Sequence, residues 1–591
     1  MDIFGILSLL GGLALFLFGM DTMGDGLVKL SGGKLEKILE RLTTNRLAAL
    51  FTGVAVTAII QSSSATTVMV VGFVNSGIMQ LQQAVGIIMG ANIGTTVTSW
   101  LLSLTGIQGN NLFIKMLKPS SFSPVLAAIG VVLTMMKSDG SKKKDIGSIL
   151  LGFAVLMYGM EAMSGAVEPL ADNEGFTNLL IKFSNPLLGL VAGTLLTAII
   201  QSSSASVGIL QALCATGVVG YGTAIPIIMG QNIGTCITAL LSSIGANKNA
   251  RRASMIHLYF NLIGTAIFMI AFYSIHKFVD FTFLNTSANA AGIAVIHSIF
   301  NIACTIILFP FANWLVKLAT LTVKDKSEKE ESKLPMRLQA LDERFLETPT
   351  FAVNLCNDAV VEMANIAGKT FKKAIDVIQK FDSDNVKIVK ENEELLDIYD
   401  DYIGSYIVKL SGTSLTTADS YRISLLMHCI NDFERISDHS RNIVETAEAL
   451  SEKGLNFSKD GIHDIVLYSK ALQDIIDMTI DSFINGDIEQ AKNVEPLEEV
   501  IDTMCKEMKD RHITRLSKGN CSYETSMYFE DLVTDYERVS DHCSNIAVSM
   551  IEGGKGQFDT HTYLSNNAVD NSEWFTTKIN EYAEKYALTK A

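Results

Sequence analysis

One repetition at a fixed offset limits what this chain can fold into. Thr57-Ala-Ile-Ile-Gln61-Ser62-Ser63-Ser64-Ala65 recurs unchanged at 197–205, 140 positions later. Gly90-Ala91-Asn92-Ile93-Gly94-Thr95 recurs as Gly230-Gln231-Asn232-Ile233-Gly234-Thr235 at the same offset. Gly19-Met20 with Met23 recurs as Gly159-Met160 with Met163, again at 140. Three motifs in one register, with no net insertion between them, mark an internal duplication of about 140 residues.

The duplicated part is apolar. Residues 1–323 hold 17 Lys+Arg and 12 Asp+Glu, whereas 324–591 hold 30 and 50; the net charges, +5 and −20, sum to the −15 of the 591-residue chain. So few charges cannot cover a globule of 323 residues, so the first part belongs in lipid, whereas the second has the composition of an acidic soluble domain. A fully soluble enzyme is excluded. Neither part carries a dominant basic surface, which argues against a nucleic-acid binder. The eight cysteines form no CxxC pair, and none lies in a polar loop on the outer side, so a disulfide framework is not expected. The N-terminus lacks a basic n-region and a small-residue cleavage site, and reads as a retained first membrane helix.

Seven apolar stretches are long enough to span a bilayer: 3–20, 84–104, 122–136, 146–160, 224–244, 255–275 and 291–316. Two shorter regions, 47–78 and 187–219, are interrupted at their centres by Gln-Ser-Ser-Ser. Positive charge marks 21–46 (Lys29, Lys34, Lys37, Arg41, Arg46), 137–145 (Lys137, Lys142 to Lys144) and 245–254 (Lys248, Arg251, Arg252) as cytoplasmic. Glu161, Glu168, Asp172 and Glu174 mark 161–186 as outer. Lys115 and Lys118 fall on the outer side against this trend. These loops agree if each Gln-Ser-Ser-Ser region is a re-entrant hairpin. Each repeat then has three crossings, an odd number, so the two repeats are inverted. That is the plan of secondary transporters, with binding near the midplane.

The interrupted segments place one amide and three hydroxyls inside an apolar stretch, where each polar group needs an internal partner. Small hydroxylated residues also let helices pack closely, but two copies in register favour a ligand. Hydroxyls and helix N-terminal amides suit an anion; Gln, Ser and Thr oxygens suit a small hard cation. Glycines flanking Asn92-Ile93 and Asn232-Ile233 allow the helices to open there, or else mark a close helix crossing. The absence of a carboxylate in mid-segment disfavours proton coupling and favours sodium held by neutral oxygens.

At these residues the chain resembles the type II sodium–phosphate cotransporter family, over about residues 1–320. The resemblance implies that phosphate is bound by Gln61, Ser62, Ser63, Ser64, Ser202, Ser203 and Ser204 with Asn92 and Asn232. It implies sodium at Gln201, Ser202, Thr95, Thr98, Thr235 and Thr238. His257 with Asn261 is also similar to a family feature, echoed by His297 with Asn301; interhelical hydrogen bonding is the plainer role. The cysteine-bearing outer loop of animal members is absent. Ser206 and Cys236 stand where the first repeat has Thr66 and Thr96, so the two sites need not be equivalent.

After a charged linker at 324–339, residues 340–555 read as long amphipathic helices, with a tail at 556–591. This half is duplicated too: Asn431-Asp432-Phe-Glu434-Arg435-Ile-Ser-Asp438-His439 matches Thr534-Asp535-Tyr-Glu537-Arg538-Val-Ser-Asp541-His542 at an offset of 103. Asn442 and Asn545 follow at the same spacing, and Glu394 with Asp397 loosely matches Glu499 with Asp502. Glu434 and Asp438 share a helix face, as do Glu537 and Asp541, and Asp531 and Asp535. Like charges four apart repel by a few tenths of a kcal/mol, a cost that a bound cation or Arg435 and Arg538 would remove. The pattern resembles the PhoU family, which implies metal at Glu434, Asp438, Asp531, Asp535, Glu537 and Asp541. His439 and His542 beside those carboxylates point to iron, zinc or manganese rather than calcium.

The expected fold is all-α: a polytopic membrane bundle over 1–323 (repeats of about 1–140 and 141–280, an extra helix at 291–316), then a soluble bundle of two three-helix repeats. The expected function is sodium-coupled symport of inorganic phosphate across a bacterial inner membrane, with the PhoU-like half cytoplasmic and regulatory. The alternatives are a phosphate exporter, a transporter of another oxyanion, or a phosphate sensor. The expected partners are phosphate, sodium, the lipid bilayer, a second copy of the chain and phosphate-signalling proteins; nucleic acid is excluded, and no enzyme motif is present.

Overall fold

The computed structural model describes residues 3–31, 45–106, 118–135, 142–173, 175, 182–324, 334–553 and 573–588. Lys34, Lys37, Arg41, Lys115, Lys137 and Glu174, most of the charged linker and most of the tail from 556 lie outside them. The described residues are helical, with no strand among them and a single isolated bridge between Gly220 and Ser287. They form two compact units, Met1–Phe351 and Ala352–Ala591.

In the first unit the helices are α1 (Ile3–Ser31), α2 (Arg46–Ile60), α3 (Ser63–Asn75), α4 (Leu81–Ser103), α5 (Pro119–Met135), α6 (Lys142–Val167), α7 (Pro186–Ile200), α8 (Ser203–Cys214), α9 (Tyr221–Gly234), α10 (Cys236–Ser242), α11 (Lys248–Val279), α12 (Ala290–Leu308) and α13 (Ala312–Thr322). The starts of α2 and α7, α3 and α8, and α4 and α9 each differ by 140, so the sequence register is also the structural one. Among the described residues, six stretches are long and apolar enough to cross a membrane: Ile3–Ser31, Leu81–Gly106, Lys142–Leu170, Tyr221–Ser242, Lys248–Val279 and Ala290–Thr322. The stretch expected at 122–136 is α5, a shorter helix of 17 residues with Pro124 inside it.

Glycine sets how closely these helices approach. A Cβ on Gly90 would lie 2.0 Å from the Leu50 carbonyl oxygen, and one on Gly230 would lie 2.0 Å from that of Leu190. α2 therefore lies backbone to backbone against α4, and α7 against α9. This corrects the expectation that the paired glycines open the helices. α4 runs unbroken through Asn92-Ile93, and α9 continues through Asn232-Ile233 to Gly234, with an interruption only at Thr235. The glycines are used up in close crossings, and the helical hydrogen bonds are kept.

The second unit holds α14 (Pro349–Gln379, whose first turn lies in the first unit), α15 (Ser383–Ser411), α16 (Thr417–Glu452), α17 (Lys459–Asn485), α18 (Val494–Ser517), α19 (Tyr523–Gly553) and α20 (Glu573–Lys585). α14 to α16 and α17 to α19 are the two three-helix copies, and α16 packs along α19. Phe371, Tyr399, Phe433, Tyr468, Phe529 and Tyr536 are fully buried and fill the core.

Candidate functional site

The Gln-Ser-Ser-Ser motifs form two turns of the same geometry. Gln61 ends α2 in the left-handed conformation at φ 61°, ψ 18°, and Gln201 ends α7 at φ 58°, ψ 20°. The Gln61 N–H donates to the Thr57 carbonyl at 2.8 Å, and the Gln201 N–H to that of Thr197 at 2.7 Å. Ser62 and Ser202 then cap α3 and α8, their hydroxyls accepting from the N–H of Ala65 (3.1 Å) and Ala205 (3.2 Å). A hydroxyl pair braces each hairpin: Thr57 to Thr66 at 3.0 Å and Thr197 to Ser206 at 2.8 Å. The chain reverses between two helices at each motif, and the first turns of α3 and α8 carry the next serines.

Ser63, Ser203 and Ser204 are buried and Ser64 half-buried; the hydroxyls of these four serines make no hydrogen bond among the described residues. They stand at helix N-termini, where N–H groups and the helix dipole favour negative charge. The NIGT residues present the opposite character. Thr95 and Thr235 give their protons to the carbonyls of Ala91 and Gln231, at 3.0 and 2.9 Å, leaving oxygen lone pairs outward. The Asn92 and Asn232 amides donate to Ile88 and Ile228 at 3.1 and 2.9 Å, leaving each side-chain oxygen as an acceptor. The Thr98 and Thr238 hydroxyls, another pair 140 apart, are buried and have no partner among the described residues.

The two copies differ. Gln61 is buried, its side-chain N–H donates to the Ala58 carbonyl, and its side-chain oxygen is buried with no partner among the described residues. Gln201 is exposed. Gln231, where the first repeat has Ala91, donates to the Ser206 carbonyl at 2.9 Å and so ties α9 to α8. The second helix of each hairpin packs on the other repeat: α8 against α4, α3 against α10 and α11. His297 bonds Ser99 at 2.7 Å, and Asn261 reaches the Cys236 sulfur at 3.4 Å, as the plainer role for those residues requires; the His257 Nδ1 has no partner among the described residues. A cavity of about 500 Å³ opens among Lys118, Glu161, Ser164, Gln211 and Asn289. Gln211, on α8, donates to the carbonyls of Ser99 and Ala290, both at 3.0 Å.

In the second unit two carboxylate triads converge, each with its oxygens within 4.8 Å: Glu393, Asp397 and Asp438, and Glu498, Asp502 and Asp541. Asp438 and Asp541 are among the sequence-derived residues. Glu393, Asp397, Glu498 and Asp502 were outside that set, although Glu393-x3-Asp397 and Glu498-x3-Asp502 repeat the same ExxxD spacing. The other four expected ligands are not among these six acids. Glu434 lies 3.6 Å from Arg435; Glu537 faces Cys505 and Lys509; Asp531 is exposed; Asp535 bonds His439 at 2.8 Å. His542 bonds Asp432 at 2.9 Å, so each histidine binds the opposite copy through Nδ1, and neither enters a triad.

Burial, then the neighbouring Glu495 and Asp502, pushes the Glu498 carboxyl up to about 8. Asp502 is raised by burial and then by Glu537, and one of its oxygens is buried with no partner among the described residues. The second triad thus consists of neutralised or crowded acids that a divalent cation would relieve. In the first triad Arg441 already donates to Glu393 at 2.7 Å. Burial, then Asp438, raises Glu434 beside that triad to about 7.

Comparison with known proteins follows the same division. The pattern of the Na+/Pi-cotransporter family matches residues 15–165 and 155–297, and that of the PhoU domain matches 360–447 and 465–550. A protein of Escherichia coli K12, YjbB, named for inorganic phosphate export, is 25% identical over 565 residues, covering 93% of this chain and 97% of that one. YqeW of Bacillus subtilis is 28% identical over 312 residues, 53% of this chain and 96% of that one. Human sodium-dependent phosphate transport protein 2B is 36% identical over 131 residues, 20% of this chain and 19% of that one. The crystal structure of PhoU from Pseudomonas aeruginosa aligns with 34% of this chain and 96% of its own at 20% identity and a TM-score of 0.33.

Proposed function

The chain belongs to the Na+/Pi-cotransporter family in its membrane unit and carries two copies of the PhoU domain, and from that premise we propose that it carries inorganic phosphate across a bacterial inner membrane in symport with sodium. The observation that supports this most is the pairing of two capped hairpins, each with free serine hydroxyls at a helix N-terminus, beside threonine and amide oxygens left as acceptors. Phosphate would take Ser63, Ser64, Ser203 and Ser204, with the N-terminal amides of α3 and α8. Sodium would take the acceptor oxygens of Thr98, Thr238 and the Gln61 side chain, with those of Thr95 and Thr235; Gln201 and Ser202, exposed and engaged in a cap, are weaker candidates. The loop charges support inverted repeats, with the PhoU unit in the cytoplasm and the cavity at Lys118 and Gln211 on the outer side.

The PhoU copies would regulate the carrier by binding metal. The donors of the triads are carboxylate oxygens alone, a hard set that suits manganese better than zinc. The imidazoles that pointed to iron, zinc or manganese are held by Asp432 and Asp535 instead.

The test is radiolabelled phosphate flux in proteoliposomes. Uptake should follow an imposed sodium gradient and ignore a pH gradient in sodium-free buffer; uptake driven equally by the pH gradient would refute the coupling. The name of the Escherichia coli relative favours a second reading, export. It predicts sodium-independent efflux from loaded vesicles.

A further inference from the structure

The segment Met336–Phe351 takes in the end of the expected linker and the start of the expected soluble half, yet it folds as part of the membrane unit. Leu338, Leu341, Phe345 and Phe351 are all buried. The Phe345 ring lies over Gly72 near the end of α3, where an added Cβ would stand 2.9 Å from two ring carbons, so only glycine admits it. Phe345 packs against Phe73 at 5.2 Å and against Phe351 at 5.1 Å, and Phe351 closes the cluster edge-on to Phe73 at 5.2 Å.

Polar contacts extend this grip to the other repeat. The Arg344 Nε donates to the carbonyl of Ser242, the last residue of α10, at 2.7 Å, while its Nη1 pairs with Asp342 at 2.5 Å. Asn75, the last residue of α3, donates to the same Asp342 carboxylate at 2.6 Å. The Asn75 side-chain oxygen accepts from the N–H of Asn247, the N-cap of α11, at 2.8 Å. One short segment thus joins α3 of the first repeat to α10 and α11 of the second. α3 is a single helix of 13 residues whose first turn carries Ser63 and Ser64 and whose last turns carry Gly72, Phe73 and Asn75. A pull on the phenylalanine end is transmitted along a rigid rod about 20 Å long.

We propose that Met336–Phe351 is a latch that closes the cytoplasmic side of the transport unit and must release Phe345 and Arg344 for the site to open inward. This rests on the transport reading and on the loop charges that place the ends of α3 and α10 inside. In that reading α3 and α10 belong to oppositely oriented repeats, which must part on one side in each cycle. The latch holds that seam. Phe351 lies in the first turn of α14.

The test is a reversible bolt in the full-length chain. Gly72→Cys with Phe345→Cys removes the ring and places two thiols where it touched α3. In proteoliposomes a mild oxidant should lower phosphate flux at least tenfold, a reductant should restore it, and the two single variants should ignore the oxidant. In parallel, Phe345→Ala should change flux per folded molecule at least threefold while the amides of α3 exchange faster with deuterium. Unchanged flux in the cross-linked protein, failure of the thiols to cross-link, or unchanged flux and exchange in Phe345→Ala would each overturn the latch. Wild-type flux is measured in the same vesicles. No phosphate flux there would sink the transport reading and the latch with it, whereas wild-type flux with an ineffective bolt would sink the latch alone.

Discussion

Gln61 and Gln201 share a backbone and differ in surroundings: both are left-handed, at φ 61° and 58°, but Gln61 is buried with an unpartnered side-chain oxygen and Gln201 is exposed. A non-glycine residue in that region costs about 1 kcal/mol or more, and at Gln61 the unpartnered buried oxygen adds to that cost. Gln61→Gly relieves the strain and deletes the amide. The variant should melt no lower than wild type yet lose at least tenfold in phosphate flux. Normal flux in a well-folded Gln61→Gly protein would take Gln61 out of the site.

The serines make the matching prediction for the substrate. A buried hydroxyl that bonds a charged ligand contributes about 1.5–3 kcal/mol. Ser63→Ala and Ser203→Ala should each lower phosphate uptake at least tenfold without loss of folded protein, because in the free protein their hydroxyls bond nothing that would be orphaned. Near wild-type uptake in both would remove the helix N-termini from phosphate binding.

Much of this architecture is legible in the sequence because the duplication kept its register. Arg46 and Pro186, Ser63 and Ser203, and Leu81 and Tyr221 begin equivalent helices. Spacing within one helix is readable in the same way, which is why Asp438 and Asp541 stand out. Convergence between helices is not. Glu393 and Asp397 reach Asp438 from α15, and the choice of Glu393 over Glu434 depends on how α15 packs on α16. His439 and His542 adjoin the acids in sequence but turn away, because Asp535 and Asp432 of the opposite copy are within hydrogen-bond reach. Paired glycines are ambiguous for the same reason: the residue that lets a helix open also lets a neighbour approach, and only the position of the neighbour decides.

The triads predict which acids hold metal. In the full-length protein purified without chelator, Asp397→Asn should lose the first copy's share of bound metal and Asp502→Asn the second's, whereas Glu434→Gln should retain nearly all. Elemental analysis of the three variants decides. Loss of metal in Glu434→Gln equal to that in Asp397→Asn would restore Glu434 as a ligand.

Metal binding should also depend on pH, with a definite sign. Burial and then Glu495 and Asp502 keep a proton on Glu498 up to about pH 8. A cation must displace that proton, so affinity should fall by up to about tenfold per pH unit below 8 for each proton released. In metal-stripped protein the raised carboxyl works the other way. The folded state binds more protons than the unfolded one between the ordinary glutamate range and about pH 8, so its contribution to stability falls as pH rises through that window. Melting of stripped and manganese-loaded protein from pH 5.5 to 8.5 should therefore diverge with rising pH. Parallel curves would mean that Glu498 does not face the ion.

The glycine crossings separate packing from transport. In Gly90→Ala and Gly230→Ala the new methyl group would stand 2.0 Å from a backbone carbonyl oxygen, of Leu50 and Leu190 respectively, and a backbone cannot step aside as a side chain can. Overpacking of this kind costs about 1–3 kcal/mol, sometimes more. Gly11→Ala is the control: nothing lies within 4 Å of a Cβ there, and in mid-helix the change should be neutral or favourable by about 0.5–1 kcal/mol. Gly90→Ala and Gly230→Ala should therefore lower the melting temperature in detergent and reduce the yield of folded protein, while Gly11→Ala should do neither. The molecules that remain folded should still show sodium-dependent flux, because Asn92, Thr95, Asn232 and Thr235 are untouched. If instead Gly90→Ala folds with full yield and an unchanged melting temperature but does not transport, the glycines serve an opening of the helix during the cycle, and the close crossing of α2 with α4 is one state of a moving joint.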